Sequence, residues 1–260
     1  MKIFIVDAFT NQPFKGNPAG VCLVGEFPSI ELMQNMALEL ACTNSAFVKR
    51  LASNHYHIRW FTPVSEAPLC GHATIATMHI LNEMGAIKKD EDIIFESMSG
   101  TLTATASGTW YSINFPLYPV KTVPLTQDLR DIVNYDPLYT GFSHNCYLME
   151  FEDRAQLAKL VPNLELLKKV DCRALIATAR GIEYDFHSRY FAPRVGINED
   201  PVCASAHCRL IPYWSQKLGK DEMTSYQLSA RGGILKCKNL GNRVLISGEA
   251  VTVMVSNFVG

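Results

Sequence analysis

Two cysteines of the chain lie in closely similar stretches of sequence. Cys70 ends the run Glu-Ala-Pro-Leu-Cys, and Cys203 ends the run Glu-Asp-Pro-Val-Cys. Each run is followed by small residues, and this pattern predicts a turn that opens a helix. A helix N-terminus leaves backbone N–H groups unpaired and carries partial positive charge, so it can bind a carboxylate. It also lowers the pKa of a cysteine placed there, so we expect a lowered pKa at both thiols.

Two thiols placed in this way suit one kind of reaction. Moving a proton at the carbon next to a carboxylate requires one acid/base group on each face of that carbon. One thiolate and one thiol would meet this requirement, and helix N-termini would stabilise the enolate-like charge without a cofactor. We therefore predict Cys70 and Cys203 as a catalytic pair, with no cofactor and no metal. A single cysteine is more often a buried small hydrophobe, so the functional interpretation depends on the matched positions.

The match extends beyond the cysteines. The run Arg-Trp-Phe-Thr-Pro at 59–63 precedes the first turn, and the run Arg-Tyr-Phe-Ala-Pro at 189–193 precedes the second. Six matching residues in order, about half the chain apart, indicate a duplicated α/β unit. We predict an N-terminal half at 1–117 and a C-terminal half at 118–248, with a strand at about 249–260 that could return to the first half. A pseudo-twofold arrangement would bring the two turns face to face.

The bulk composition excludes several classes of function. A net charge of −1 gives no electrostatic case for binding nucleic acid or an anionic membrane. The N-terminus reaches an acid at Asp7 without a signal-peptide core, and no apolar run approaches the roughly 18 residues of a membrane span. We therefore expect a soluble, cytoplasmic protein. The eight cysteines include no CxxC pair, so a zinc motif is not expected and most should be buried, reduced thiols.

Several elements are predicted around the turns. Ser29 is a suitable N-cap for a helix over 30–40. The helix after Cys70 is apolar or small nearly all round, which is typical of a helix wrapped by protein on every side. The segment 10–20 is rich in Gly and Pro and is predicted to be a loop, with a strand from Val21. A further helix is predicted near 125–133.

Longer stretches of the chain resemble one known family. They are Asp-Ala-Phe-Thr at 7–10, Phe-Lys-Gly-Asn-Pro-Ala-Gly at 14–20, Phe-Thr-Pro at 61–63, the first cysteine turn with Gly-His-Ala-Thr at 66–74, and the run 196–207 around the second turn. Together they resemble the phenazine-biosynthesis-like (PhzF-like) family across nearly the whole chain. The resemblance implies an α+β fold like that of diaminopimelate epimerase and proline racemase. In that fold two similar halves each wrap a curved, mostly antiparallel sheet around a central helix, with the site in the cleft between them.

The resemblance also implies a function. It indicates a cofactor-independent isomerase that moves a proton on a small carboxylic acid, and a homodimer. Asp200 matches the family's site acid and His72 its site histidine, so both join the two cysteines as expected catalytic residues. The expected substrate-binding residues are Asn17, Asn44, Gly71, Ala204, Ser205 and Ala206. Glu66 and Glu199 are expected to tie down their own turns instead.

The chain departs from the family at two positions. The family's general acid/base Glu is replaced by Asn44, whose amide cannot shuttle a proton but could bind the substrate by a hydrogen bond. Cys203 stands where the family usually has Thr. A chain that lacks the carboxylate and holds both thiols looks more like the two-thiol racemases of the same fold.

Three other readings stay open. Asp200 and His72 could transfer the proton, with the thiols as spectators. The protein could be a catalytically silent binding protein that has kept the cleft and lost the Glu. Alternatively, Cys70 and Cys203 could form a redox-sensitive pair. The sequence does not identify the substrate.

Overall fold

A computed structural model of the chain describes residues 1–88 and 91–259. The chain divides into two compact units, one formed by Met1–Phe115 with Leu245–Gly260 and the other by Pro116–Val244. The chain thus passes between the units next to residue 115 and next to residue 244.

The elements follow one another in a similar order in both units. The first stretch contains β1 Lys2–Ala8, β2 Asn17–Val24, α1 Ile30–Leu40, β3 Asn44–Ala52, β4 His55–Phe61, β5 Glu66–Ala67, α2 Gly71–Glu83, β6 Ile93–Ser97, β7 Gly100–Ser107 and β8 Trp110–Pro116. The rest contains β9 Lys121–Thr122, α3 Gln127–Arg130, β10 Tyr139–Ser143, β11 Cys146–Phe151, α4 Arg154–Lys159, α5 Leu164–Lys169, β12 Ala174–Arg180, β13 Phe186–Phe191, a 3-10 turn Pro193–Val195, α6 Ala204–Leu218, β14 Glu222–Gln227, β15 Gly233–Asn239, β16 Arg243–Gly248 and β17 Ala250–Asn257.

The sheet of the first unit is mixed. Strand β1 pairs antiparallel with both β2 and the C-terminal β17. Strand β2 is parallel to β3, β3 is antiparallel to β4, and β4 is parallel to β6. The remaining hairpins, β6 with β7 and β7 with β8, are antiparallel. Each parallel pair is joined through a helical crossover, as parallel pairing requires.

The second unit repeats the pairing senses of the first unit's strands from β1 to β7, without a counterpart of the short β5. Strands β10 and β11 are antiparallel, β11 and β12 parallel, β12 and β13 antiparallel, β13 and β14 parallel, and β14 and β15 antiparallel. Helix α6 therefore occupies the place in the chain order that α2 occupies in the first unit. The identical order of pairing senses bears out the two similar α+β halves predicted from the repeated cysteine turns.

Both central helices begin directly after a cysteine. Helix α2 is buried along nearly all its length and packs on β1, β2, β3 and β17, as its uniformly apolar sequence predicts. Helix α6 carries Pro212 in its interior, which leaves the carbonyl of Cys208 without its helical donor. The backbone N–H of Tyr118 supplies that hydrogen bond over 2.9 Å, so the helix continues without an unsatisfied carbonyl.

Local predictions were right to different degrees. The helix at 30–40 is confirmed, and the Ser29 hydroxyl accepts a hydrogen bond from Leu32 N–H, as a cap should. The prediction of a loop up to residue 20 is wrong, because β2 already begins at Asn17 and pairs with the end of β1. The helix expected over 125–133 is reduced to α3, a single turn. All eight cysteines are buried, as expected for most of them.

Among the helices of residues 1–88 and 91–259, none combines the length and the hydrophobicity that a membrane span requires.

Candidate functional site

The first cysteine turn places Cys70 at the N-cap of α2. Its backbone is extended there, with φ −144° and ψ 109°, and its side chain caps no backbone N–H. The residue is only 6% exposed. The Thr74 hydroxyl, one turn into the helix, donates to the Cys70 carbonyl over 2.7 Å. The thiol is therefore held at the start of a buried helix, where the unpaired N–H groups of the first turn lie.

His72 adjoins this thiol. Its Nδ1 atom lies 3.5 Å from the Cys70 sulfur and 3.4 Å from Nδ2 of Asn17, the first residue of β2. Burial lowers the pKa of His72 to about 3, so the ring is neutral at physiological pH. An amide NH₂ group can only donate, so this geometry assigns Nδ1 as the acceptor and places the ring proton on Nε2. The structure thus brings together the predicted residues Asn17, Cys70 and His72.

The second turn places Cys203 at the N-cap of α6, again extended and 6% exposed. The Ser205 hydroxyl lies 3.3 Å from its sulfur. Nδ1 of His207 is 2.9 Å from the Cys203 carbonyl, and its Nε2 is 2.7 Å from the Ser225 hydroxyl. Burial lowers the pKa of His207 to about 4, so a neutral ring donates from Nδ1 and accepts at Nε2.

The two turns share a pattern of contacts as well as a sequence. In each, the residue two positions after the cysteine contacts its sulfur: His72 in the first turn and Ser205 in the second. The residue four positions after the cysteine contacts its carbonyl: Thr74 in the first and His207 in the second. The duplication is therefore preserved in contacts, although the contacting residues differ in chemistry.

The expected lowering of the thiol pKa is wrong at Cys203. Burial raises the pKa of this thiol well above its usual value, and the negative charge of Asp200 raises it further. The hydrogen bonds from Ser205 and from the backbone of Ala206 act in the opposite direction but do not prevail. Cys203 is therefore a protonated thiol at neutral pH, because desolvation outweighs the favourable field of the helix N-terminus.

Gln227, at the end of β14, is a residue that the sequence reasoning missed. Its side chain is fully buried. Its Oε1 accepts from the backbone N–H of Cys203 over 3.0 Å, and its Nε2 donates to the backbone carbonyl of Asp200 over 2.7 Å. Asp200 is further held by its own N–H, which donates to the Tyr190 carbonyl. No motif in the sequence marks Gln227, because it lies in an ordinary strand far along the chain from the turn.

The two glutamates of the turns have the structural role expected of them. Glu66 accepts two hydrogen bonds of 2.7 Å each from Nε and Nη2 of Arg59. Glu199 accepts the same pair from Arg189, over 2.7 and 2.9 Å. Each pair of hydrogen bonds fixes the turn to the preceding strand of the same unit, which confirms the structural role predicted for Glu66 and Glu199.

The remaining predicted residues lie at the starts of their elements. Asn44 is buried and opens β3, where it pairs in register with Ala19 of β2. Gly71 is the first residue of α2, and the first three residues of α6 are Ala204, Ser205 and Ala206. Their backbone N–H groups belong to first turns, which have no intrahelical acceptor. Within the described ranges, no cluster of three or more His, Cys, Asp or Glu side chains could hold a metal ion.

Comparison with known proteins identifies the family. The family described as phenazine biosynthesis-like protein matches residues 6–256. The chain belongs to this family. An uncharacterized isomerase of Halalkalibacterium halodurans is 45% identical over 99% of this chain and 98% of its own length. This relative and two further relatives named as isomerases confirm the predicted enzyme class, an isomerase.

Solved structures confirm the fold class. The crystal structure of a PhzF-family protein from Enterococcus faecalis has a TM-score of 0.94 and 36% identity, covering 98% of this chain and 97% of that one. A probable proline racemase from Agrobacterium radiobacter has a TM-score of 0.66 at 12% identity, covering 99% of this chain and 92% of that one. The second likeness shows the fold alone, the epimerase and racemase fold predicted from the sequence.

Proposed function

We propose that this isomerase moves a proton at the α-carbon of a small carboxylic acid without a cofactor, using Cys70 and Cys203 as the acid/base pair. The observation that carries the proposal is the matched geometry of the two thiols. Each is the N-cap of a central helix, and each has a polar side chain against its sulfur, His72 or Ser205. The proposal requires both thiols to reach one substrate, as the two-half arrangement implied by the resemblance would provide.

The two thiols take different roles in the first turnover. In the direction considered, the Cys70 thiolate removes the α-proton and becomes a thiol, while the C–H electron pair passes into the carboxylate as an enolate. Cys203 starts as a thiol, because burial and Asp200 disfavour its ionised form. It gives its proton to the opposite face of the α-carbon, forms the new C–H bond and is left as a thiolate. The reverse reaction restores the starting state.

Neighbouring groups support these roles. The neutral His72 ring lies against the Cys70 sulfur, and its Nε2–H, with Nε2 3.9 Å from the sulfur, donates to the Cys70 thiolate and thereby orients it. The backbone N–H groups at Gly71, His72 and the first turn of α6 bind the substrate carboxylate and stabilise the enolate. Asn44 contributes a hydrogen bond to the substrate in place of proton transfer. The proposal includes a cytoplasmic homodimer that binds neither nucleic acid nor membrane.

Hydrogen–deuterium exchange tests the pair directly. Small amino and hydroxy acids are incubated with the protein in heavy water, and deuterium at the α-carbon is measured by NMR. We expect Cys70→Ser and Cys203→Ser each to lower exchange by at least about 100-fold, the low end of acid/base contributions. Cys172→Ala, at a buried cysteine outside both turns, is the matched control and should retain exchange. Full exchange in both serine variants would overturn the thiol pair.

Proton transfer by Asp200 and His72 is a second candidate chemistry. The observation that favours it is that the Asp200 carboxylate lies near enough to Cys203 to raise the pKa of its thiol. If exchange survives in both serine variants but is lost in Asp200→Asn, this alternative replaces the thiol pair. The low pKa of His72 argues against it, because a ring that resists protonation is a poor general base at neutral pH.

The second candidate function is that of a catalytically inactive binding protein. The observation that favours it is the amide of Asn44 at the position of the family's acid/base Glu. Saturable binding of a small acid without α-exchange would support this reading. Asn44→Glu should then create exchange where none existed, since it restores the family's acid/base group. A redox role predicts a disulfide between Cys70 and Cys203 under mild oxidant, which peptide mass mapping would detect.

A further inference from the structure

A cavity of about 760 Å³ opens in the second unit, among residues that take no part in the proposed reaction. Its lining includes Arg154 at the start of α4, Arg180 at the end of β12, and Tyr184 in the following hairpin. His187 and Tyr226, which are register partners on β13 and β14, complete the wall. A volume of this size suits a small organic ligand.

Aromatic rings form one wall of the cavity. Tyr184 and Tyr226 stack with ring centroids 5.3 Å apart and planes at 27°. The His187 ring meets both of them edge-on, at 6.0 and 6.3 Å. Tyr226 is held in place over Gly232, where an added Cβ would lie only 2.0 Å from the tyrosine oxygen. The wall is therefore a fixed aromatic surface on which a further ring could stack.

His187 carries an unused hydrogen-bonding atom at this wall. The residue is 3% exposed, and its Nδ1 atom makes no hydrogen bond to any residue in the described ranges. Burial lowers the pKa of His187, so its ring is neutral, although a hydrogen bond to the Tyr226 backbone acts in the opposite direction. A neutral imidazole has one proton, and that bond uses it. His187 therefore shapes the wall and is not a donor to an anionic ligand.

Two guanidinium groups border the aromatic wall. Arg154 and Arg180 are exposed, and neither side chain has an ion pair or hydrogen bond within residues 1–88 and 91–259. The cavity also contains two acids. Asp153 caps α4 by accepting from Gln156 N–H over 2.8 Å, and Glu183 is a second exposed acid of the lining. The uncommitted cations can therefore receive a carboxylate through forked hydrogen bonds.

We propose that this cavity binds an aromatic carboxylate. The ring of the ligand stacks on the Tyr184–Tyr226 wall, and its carboxylate lies between Arg154 and Arg180. His187 supports this wall through its edge contacts with both tyrosines. This site is separate in its residues from both cysteine turns, so it goes beyond the proposed isomerase reaction.

Titration with 1-naphthoate tests the site, with ligand fluorescence as the readout. We expect saturable binding to the wild-type protein, and binding at least about tenfold weaker in Arg154→Gln and in Arg180→Gln. Arg130→Gln, at an exposed arginine outside the cavity, is the matched control. 1-Naphthamide keeps the ring without the charge, and acetate keeps the charge without the ring, so both should bind more weakly than 1-naphthoate.

Three outcomes would overturn the proposal. The first is that Arg154→Gln and Arg180→Gln bind 1-naphthoate as tightly as the wild type does. The second is that the wild type binds 1-naphthamide as tightly as 1-naphthoate. The third is that binding of 1-naphthoate does not saturate at millimolar concentration. Binding lost in Cys203→Ser but kept in the arginine variants would place the ligand in the proposed reaction site instead.

Discussion

The buried side chain of Gln227 accepts a hydrogen bond from the backbone N–H of Cys203 over 3.0 Å. The same amide donates to the carbonyl of Asp200 over 2.7 Å. One side chain of β14 therefore holds both ends of the second cysteine turn. Because Cys203 is proposed to act on the substrate, and Asp200 is the proton-transfer group of the alternative chemistry, Gln227 is a positioning residue in either case.

Gln227→Met should separate positioning from simple packing. The substitution keeps the length of the side chain but leaves the Cys203 N–H and the Asp200 carbonyl without partners. We expect a loss of about 1–3 kcal/mol in the free energy of unfolding, measured with urea, because a buried group loses its partner. Gln216→Met, at an exposed position of α6, should be nearly neutral. Unchanged stability and unchanged α-exchange in Gln227→Met would contradict this role.

The duplicated arginines should differ in their contribution to stability. Within residues 1–88 and 91–259, the Arg59 guanidinium donates hydrogen bonds only to Glu66. Arg189 donates to Glu199 and also to the carbonyls of Leu157 and Leu160, over 3.1 and 2.6 Å. Arg189→Met should therefore lower the free energy of unfolding more than Arg59→Met, by about 2 kcal/mol or more. Urea denaturation of the two variants gives the comparison, and equal losses would refute it.

Gly16 should not tolerate a side chain. It has φ +64°, and an added Cβ would lie 2.1 Å from the Ala8 carbonyl oxygen. Gly16→Ala should therefore cost about 1–3 kcal/mol of stability through the strained backbone, with the clash adding to it, and it should displace Asn17, which follows it. Gly25→Ala is the matched control, because nothing lies within 4 Å of its added Cβ. Equal melting temperatures of the two variants would disprove the strain argument.

The sequence predicted the parts of the molecule that depend on local pattern. The repeated turns indicated two similar halves, and the apolar run after Cys70 indicated a buried central helix. The state of the Cys203 thiol was not predictable in the same way, because its pKa is set by burial and by Asp200 together. Gln227 was also missed, since its role depends on a contact between a strand and a turn 24 residues earlier in the chain.

The buried histidines should make stability depend on pH. His207 has a pKa of about 4 in the folded protein, against 6.5 for an ordinary histidine. Between these values the unfolded chain binds the extra proton and the folded protein does not, so stability falls as pH falls from about 6.5 to 4. This pKa shift corresponds to on the order of 3 kcal/mol of the free energy of unfolding, and all of that contribution is lost below pH 4.

The variant His207→Gln isolates this effect. Above about pH 7 the variant should be less stable than the wild type by a constant amount, because it loses the hydrogen bonds to Cys203 and Ser225. As the pH falls towards 4, this difference in the free energy of unfolding should narrow, because only the wild type contains a buried histidine that must stay neutral in the folded state. In His72→Gln the narrowing should continue to about pH 3, where the folded His72 titrates. Urea unfolding at several pH values measures both, and a difference that stays constant from pH 7 to 4 would rule out the burial effect.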